Sequence, residues 1–171
     1  TSFQLSKDRQ NIFVLFQPEN VNLTGTLKII NTSSNATLGS YNSEKFIKKL
    51  FVSEDNTRTL LFSWEEIEIL HTLNVANPFL LKSLSFAQFP GFLRDSVVSK
   101  DADVLITLFQ DNDNTNIFLH NISNLSNLTG IARISTKISG NRLLITLSKD
   151  EKTLFLVHSQ LIIYDLSNIS S

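Results

Sequence analysis

The three histidines are the residues of this sequence best suited to acid–base or metal chemistry. His71 and His120 each end a short apolar run, and His158 follows another. Aligned by these runs, His71 and His120 share one column of an internal repeat, where the other copies carry Ile30 and Tyr164. A zinc site needs three or four converging ligands, and a column that also accepts isoleucine is typical of a structural position. The pattern therefore predicts no metal site.

A serine followed two residues later by an aspartate could place a nucleophile beside a carboxylate. The pair occurs in Ser6-Lys7-Asp8, Ser53-Glu54-Asp55, Ser99-Lys100-Asp101 and Ser148-Lys149-Asp150, with spacings of 47, 46 and 49 residues. Short Ser and Asp side chains bond nearby backbone N–H groups in tight turns, so a repeated turn accounts for all four copies. The motif predicts turns and no catalytic residue, and the chain is expected not to be an enzyme.

The run from Asp111 to Asn116 (Asp-Asn-Asp-Asn-Thr-Asn) resembles the start of a calcium loop. An EF-hand loop needs glycine at its sixth position and glutamate at its twelfth, which here are Asn116 and Ile122. We therefore expect a polar hairpin tip, with a weak calcium site as the alternative. Only five glycines occur and none forms a Gly-x-Gly-x-x-Gly loop, so no cofactor is predicted.

Seven Asn-x-Ser/Thr acceptors could carry N-linked glycans, which require surface loops of a secreted protein. They are Asn22, Asn31, Asn35, Asn121, Asn124, Asn127 and Asn168. All except Asn22 fall between the third and fourth strands of a predicted repeat. This placement predicts a glycosylated protein that is extracellular or at the cell surface. The alternative is that a Ser/Asn-rich turn motif creates acceptors without their being used.

The elements that must position these residues are four repeats. A short apolar run that ends in a polar residue recurs in phase with the Ser-x-Asp motif. Aligned on Asn31, Thr72, Asn121 and Asp165, the copies are 41, 49 and 44 residues apart. A β-rich period in the forties is typical of β-propeller blades, and the sequence predicts an all-β fold of four-stranded antiparallel blades. The predicted blades of this one domain are 1–45, with a truncated inner strand, 46–91, 92–139, and 140–171, without its outer strand.

The predicted second strands carry consecutive rather than alternating apolar residues, as in Ile12 to Phe16 and Leu154 to Val157. Continuous apolar strands are buried on both faces, as expected for a blade between two neighbours. The residues expected to be most buried are Phe13, Leu15, Leu61, Leu105, Leu108, Phe155 and Leu156.

The first and last blades are expected to leave apolar faces uncovered, because closed propellers use typically 4–8 complete blades. We expect these faces to include Phe13 and Phe16 at one end, and Leu154 and Phe155 at the other. Exposed patches of this kind drive association. The predicted partners are therefore the remaining blades of the same protein or neighbouring copies, and residues 1–171 alone are not expected to form a closed monomer.

The segment Ile163-Tyr164-Asp165-Leu166-Ser167-Asn168 resembles the turn of the LVIVD-repeat β-propellers, and Leu119 to Asn124 is a close second copy. The resemblance covers nearly the whole chain. It implies a secreted or surface binding module, with a protein or glycan ligand and no shared catalytic residues. The sequence contains neither a Trp-Asp dipeptide nor a Gly-Gly pair, which disfavours WD-type and Kelch blades.

The composition, with 171 residues, 42% of them apolar, and a net charge of −1, describes a globular protein. Its densest basic cluster, Lys45, Lys48 and Lys49, is too small to predict a nucleic-acid partner. No apolar run approaches the ~20 residues that span a membrane. Three functions stay open: an extracellular scaffold or binding propeller, a structural glycoprotein subunit of a surface layer or fibril, and a propeller enzyme. The enzyme would use charged residues where inner strands begin, at 43–45, 94–95 and 140–142.

Overall fold

The computed structural model describes residues 2–17, 24–87, 89, 91–111, 114–126, 129–138 and 143–167. Over these ranges the chain forms 15 β-strands and no helix. Two compact units can be distinguished, Thr1–Phe86 and Ala87–Ser171, and each contains two antiparallel sheets. The predicted all-β fold of small antiparallel sheets is confirmed.

Each sheet is a meander in which consecutive strands pair side by side. Sheet 1 consists of β1 (Ser2–Leu5), β2 (Asn11–Phe16), β3 (Thr26–Asn31) and β4 (Thr37–Asn42). Sheet 2 consists of β5 (Lys49–Val52), β6 (Arg58–Phe62), β7 (Glu66–His71) and β8 (Phe79–Ser85). Sheet 3 consists of β9 (Phe92–Val98), β10 (Val104–Asp111), β11 (Asn114–Asn121) and β12 (Thr129–Thr136). Sheet 4, within the described residues, consists of β13 (Leu144–Leu147), β14 (Thr153–Val157) and β15 (Leu161–Asp165).

The first strand of each sheet lies beside the first strand of its partner sheet. In unit 1, β1 contacts β5, and in unit 2, β9 contacts β13. Side chains join these strands: the Gln4 amide donates to the Val52 carbonyl at 3.0 Å and accepts from the Val52 N–H at 2.9 Å. Asp95 accepts from the Ile145 N–H at 2.9 Å. The first strand of sheet 1 has four residues, as many as β5 and β13.

An apolar core fills the space between the two sheets of each unit. The core of unit 1 contains Phe13, Leu15, Leu27, Ile29, Ile47, Val52, Leu61 and Leu70. The core of unit 2 contains Ile106, Leu108, Ile117, Leu119, Leu143, Ile145, Leu154 and Leu156. Burial of this apolar surface is the main force that holds the two sheets of a unit together.

Six of the seven residues predicted to be most buried are confirmed, each with at most 1% of its surface exposed: Phe13, Leu15, Leu61, Leu105, Leu108 and Leu156. The prediction was wrong for Phe155, which is only half-buried. Alternate residues of a strand point to opposite faces. Leu154 and Leu156 therefore face the core of unit 2, while Phe155 points to the other side of sheet 4.

Candidate functional site

The four Ser-x-Asp motifs form the same turn in all four sheets, between the first and second strands. In each, the serine hydroxyl donates to the aspartate at 2.5–2.6 Å. The same serine oxygen accepts the N–H five residues later, as Ser53 accepts from Arg58 at 3.0 Å. The aspartate accepts the N–H two residues after itself, as Asp55 does from Thr57 at 3.0 Å.

These bonds occupy the groups that a nucleophile would need. The serine donor is committed to the neighbouring carboxylate and its oxygen to a backbone N–H, so neither is poised to attack a substrate. The hydrogen bond from Ser6 lowers the pKa of Asp8, and that from Ser148 lowers the pKa of Asp150. The prediction that the motif makes turns is confirmed.

The acceptor asparagines in the described residues lie at the turn between third and fourth strands. Asn121 Oδ1 accepts from the Ser123 N–H at 2.9 Å and from the Ser123 hydroxyl at 2.6 Å. Asn31 Oδ1 accepts from the backbone of Ser33 at 3.0 Å, and Asn124 accepts from Ser126 at 3.0 Å. These are side-chain turns of the kind that asparagine favours.

The acceptors differ in exposure. Asn35 and Asn124 are exposed, whereas Asn31 and Asn121 are half-buried. Asn35 has a φ of 57°, a left-handed conformation that asparagine tolerates better than most residues. Asn22, Asn127 and Asn168 lie outside the described residues.

His71 and His120 do not share a repeat position, contrary to the alignment drawn from the sequence. Across the second and third strands, His71 pairs with Arg58 and His120 pairs with Leu105. Arg58 is the fifth residue after its turn serine and Leu105 the sixth after its own. The residue of sheet 2 equivalent to Asn31, Asn121 and Asp165 is therefore His71 and not Thr72. The error arose because two polar residues, His71 and Thr72, follow the apolar run of this strand, so the run alone does not show which of them aligns with Asn31.

The histidines pack against aromatic rings. His71 stacks on Phe79, with ring centroids 5.1 Å apart, and His120 meets the Phe89 ring edge-on at 5.3 Å. Burial lowers the pKa of His120, which favours its neutral form. His158 lies beside the Ser159 hydroxyl at 2.8 Å. Within the described ranges, no group of three or more His, Cys, Asp or Glu side chains could hold a metal ion.

Two other sets of candidate positions are the polar run from Asp111 to Asn116 and the charges of the inner strands. Asp111 and Asn114 form the paired ends of the β10–β11 hairpin, and residues 112 and 113 between them lie outside the described ranges, so the calcium alternative stays a prediction. Of the inner-strand charges, the Arg94 guanidinium donates to Gln110 at 2.8 Å, and Asp95 holds the Ile145 N–H. Residues 140–142 also lie outside the described part.

A buried carboxyl group in unit 1 was missed in the sequence. Glu68 of β7 has only 6% of its surface exposed. One of its carboxylate oxygens accepts from the Tyr41 hydroxyl at 3.5 Å, and Ser43 also bonds the carboxylate. The other oxygen is buried without a hydrogen-bond partner among the described residues. Its signal was a charged residue between Ile67 and Ile69 in an apolar run, since buried charges are rare unless they are paired.

The surroundings of Glu68 favour its neutral form. Burial raises the pKa of Glu68, and the neighbouring Glu66 carboxylate adds to the effect. Burial and the Glu68 charge together raise the pKa of Tyr41 to about 12. The Lys45 ammonium lies 3.8 Å from Glu66 and 3.9 Å from Glu65, so its nearest ion pairs are with these more exposed carboxylates.

We expect Glu68→Gln to increase stability at neutral pH and to have less effect in acid. Because the folded-state pKa of Glu68 is raised, burying this carboxyl group carries no cost for a buried charge below pH 4.5, the pKa of an unfolded glutamate. The cost of burying the charge grows as pH rises from there through the folded pKa. Urea unfolding of both proteins between pH 4 and 8 measures the difference.

Glu65→Gln is the matched control, because the Glu65 side chain is 82% exposed and its replacement should give a small difference in stability. A Glu68→Gln difference that stays constant from pH 4 to 8 would contradict the assignment of a buried charge.

Two sheet faces, one in each unit, expose several large apolar side chains among the described residues. The open face of sheet 1 points away from the core of unit 1 and contains Phe3, Leu5, Ile12, Val14, Phe16 and Ile30. Phe3 is 70% exposed, Leu5 46% and Phe16 42%. The Lys28 ammonium lies over the Phe16 ring, 5.1 Å from its centroid, so a cation also borders this face.

The open face of sheet 4 points away from the core of unit 2 and contains Leu144, Phe155, Val157, Leu161 and Ile163. Leu161 and Ile163 are each 59% exposed and Leu144 is 57% exposed. Apolar faces at both ends were predicted, but not all of their residues. Phe13 and Leu154 were assigned to them wrongly, because both are fully buried in the cores of their units.

A cavity of about 170 Å³ opens between sheets 3 and 4. Apolar side chains dominate its lining, including Ile106, Leu119 and Ile131, with Ser99 and Glu151 as the polar members. Ser99 is committed to its turn, and Glu151 accepts from the Lys100 N–H at 2.7 Å. The polar members of the lining are thus already hydrogen-bonded within unit 2.

Solved structures identify the sheets as propeller blades. The chain is similar to hydrazine synthase of Kuenenia stuttgartiensis, with a TM-score of 0.73, 9% identity, and coverage of 98% of this chain and 58% of that one. It is equally similar to the β-propeller domain of Cps50 (Swd1) from Myceliophteria thermophila, with a TM-score of 0.73, 9% identity, and coverage of 98% and 54%. A protein of unknown function from Desulfotomaculum acetoxidans matches with a TM-score of 0.71, 10% identity, and coverage of 95% and 50%.

The fold is thus that of a β-propeller. The chain spans about half the length of the structures it matches. Identities near 10% establish the fold alone. No model of a known protein family and no curated protein matches the sequence. Among the described residues, no helix is long and apolar enough to cross a membrane.

Proposed function

We propose that this chain is a non-catalytic β-propeller module that acts as an extracellular scaffold and binds a protein or glycan ligand. The observation that carries the proposal is the pair of open apolar faces on sheets 1 and 4. Exposed apolar areas of this kind are typical of interaction sites. The repeated Ser-x-Asp groups, by contrast, are committed to turns, which favours a role through surfaces over one through chemistry.

The proposal includes glycosylation of the turns between third and fourth strands. Glycans attach to the side-chain nitrogen of asparagine in surface loops. In the Asn121 turn it is the oxygen that accepts from Ser123, and this leaves the nitrogen without a role in the turn. The resemblance of this turn to that of LVIVD-repeat propellers is part of the same proposal and supports secretion.

Secretion of the chain from a eukaryotic host is expected to add glycans to at least one of Asn31, Asn35, Asn121, Asn124, Asn127 and Asn168. Intact-mass measurement before and after enzymatic deglycosylation detects them. Asn121→Gln should remove one glycan mass if that site is used.

Asn74→Gln is the matched control, because Asn74 makes the same turn, accepting from Ala76 at 3.2 Å, but has no Ser or Thr two residues later. The Asn74→Gln variant should carry the same glycan mass as the wild type. Identical masses before and after deglycosylation of the secreted wild type would refute the glycoprotein proposal.

A structural glycoprotein subunit of a surface layer or fibril is the second candidate. The open faces favour it, because they lie on the first and last sheets of the chain, where a further copy could add. A propeller enzyme has weaker support: Arg94 and Asp95, two of the inner-strand charges, hold neighbouring polar groups of the same unit.

A further inference from the structure

We propose that the open face of sheet 4 in one copy of this chain binds the open face of sheet 1 in a second copy, head to tail. The inference rests on the proposed scaffold role and names its partner. It follows from the repeat, because each open face carries the residues that the other sheets bury against a neighbour.

The open face of sheet 4 has the composition of a buried interface. Counted from the serine of the turn, Phe155 and Val157 are the seventh and ninth residues, and Leu161 and Ile163 are the fourth and second before Asp165. At the same positions, sheets 1 and 3 carry Phe13, Leu15, Leu27, Ile29, Ile106, Leu108, Ile117 and Leu119. All eight are at most 1% exposed, because they pack against the next sheet of their unit. Sheet 4 therefore presents a face suited to a following sheet.

The open face of sheet 1 has the complementary composition. Phe3 and Leu5 precede the turn serine by three and one residues, and Ile12 and Val14 follow it by six and eight. The residues of sheet 4 at these positions are Ile145, Leu147, Leu154 and Leu156. They pack against sheet 3 in the core of unit 2. Sheet 1 therefore presents a face suited to a preceding sheet.

A second copy of this chain supplies both kinds of face. The contact would repeat the packing of sheet 4 on sheet 3 and of sheet 2 on sheet 1, so no new type of interface is needed. Two copies joined in this way would place the four sheets of one beside the four sheets of the other. Their eight sheets stay within the 4–8 blades of closed propellers.

A competing surface for self-association is the outer strand of sheet 2. In β8, Phe79 is 48% exposed, Leu80 43% and Leu81 37%. An exposed apolar edge strand can pair with another chain. The residues of sheet 3 that correspond to Phe79 and Leu80 are Thr129 and Gly130, and both are exposed. The experiment therefore includes this surface as a control.

The experiment uses a charge on each open face, at the most exposed positions so that the fold is least affected. Phe3→Glu blocks the face of sheet 1, and Ile163→Glu blocks the face of sheet 4. Masses are measured by light scattering over a concentration series, and a cooperative melt verifies that each variant is folded.

The wild type is expected to exceed its monomer mass of 19.3 kDa. Each variant alone should associate at least tenfold more weakly, while an equimolar mixture should form a 1:1 dimer through the one intact pair of faces.

Leu80→Glu on β8 is the matched control and should associate like the wild type. A monomeric wild type, a mixture of variants that stays monomeric, or loss of association in Leu80→Glu would each overturn the head-to-tail contact. Association of Ile163→Glu alone would do the same, since it would show that sheet 1 pairs with itself. Glycan masses are read independently, so failure of this contact is distinguishable from failure of the proposed extracellular role.

Discussion

Replacing Phe13 with alanine is expected to lower the free energy of unfolding by about 3–5 kcal/mol. Phe13 is fully buried in the core of unit 1, where it packs between sheets 1 and 2 with Leu15, Leu61 and Leu70. Removing the ring loses its transfer free energy and leaves a cavity between the sheets. Since whole domains are stable by only about 5–15 kcal/mol, the variant should unfold at a much lower denaturant concentration.

Phe92→Ala is the control for this change, because Phe92 is 73% exposed and loses little burial. Surface substitutions of this kind are usually within about 0.5 kcal/mol of wild type. Equilibrium unfolding in urea, followed by far-ultraviolet circular dichroism, compares the two variants. Equal effects of the two would show that Phe13 does not lie in a tightly packed core.

The fold was accessible from the sequence because the signals that specify each sheet are local. Each Ser-x-Asp turn carries its own hydrogen bonds within six residues, so its sequence specifies it wherever it occurs. The apolar second strands follow at a fixed distance from it, as Phe13 follows Ser6 and Ile106 follows Ser99. The turn motif and the apolar second strand recur together four times, and this recurrence predicts four similar sheets.

The register of the third strands could not be deduced in the same way. In sheet 2 two consecutive polar residues, His71 and Thr72, follow the apolar run, so the pattern fits either of them as the equivalent of Asn31. This accounts for the wrong alignment of Thr72 and for the apparent equivalence of His71 and His120. Only the pairing of His71 with Arg58 resolves it.

The candidate site was less predictable, because it depends on what surrounds each sheet. Phe155 and Phe13 occupy the same repeat position, yet one is half-buried and the other is fully buried. The difference depends on whether a further sheet covers that face of the strand. The residues around Phe155 in the sequence do not indicate whether one does. Glu68 differs, because a carboxylate in an apolar strand was visible in the sequence. Its partners were not: Tyr41 lies in β4 of the preceding sheet, and Ser43 follows that strand.

Gly39→Ala is expected to destabilise the protein by about 3 kcal/mol, at the upper end for overpacked sites. A β-carbon on Gly39 would lie 1.9 Å from the Val75 carbonyl oxygen and 3.1 Å from the carbonyl carbon of Ala76. These are backbone atoms of the turn after β7, so no side-chain rotation relieves the clash. Either strand β4 or the turn must move, and Val75, which packs on the core of unit 1, would move with it.

Gly130→Ala offers the control, and its expected effect has the opposite sign. Gly130 lies in β12 of sheet 3, and no atom of the described residues lies within 4 Å of its added β-carbon. Glycine inside a strand costs roughly 0.5–1 kcal/mol relative to alanine, so this replacement should stabilise the protein by up to that amount. Thermal and urea unfolding of the two variants measure the difference. A loss of stability on both substitutions would show that strand glycines matter here for backbone conformation. A loss for Gly39 alone would establish the close approach of sheet 1 to the turn of sheet 2.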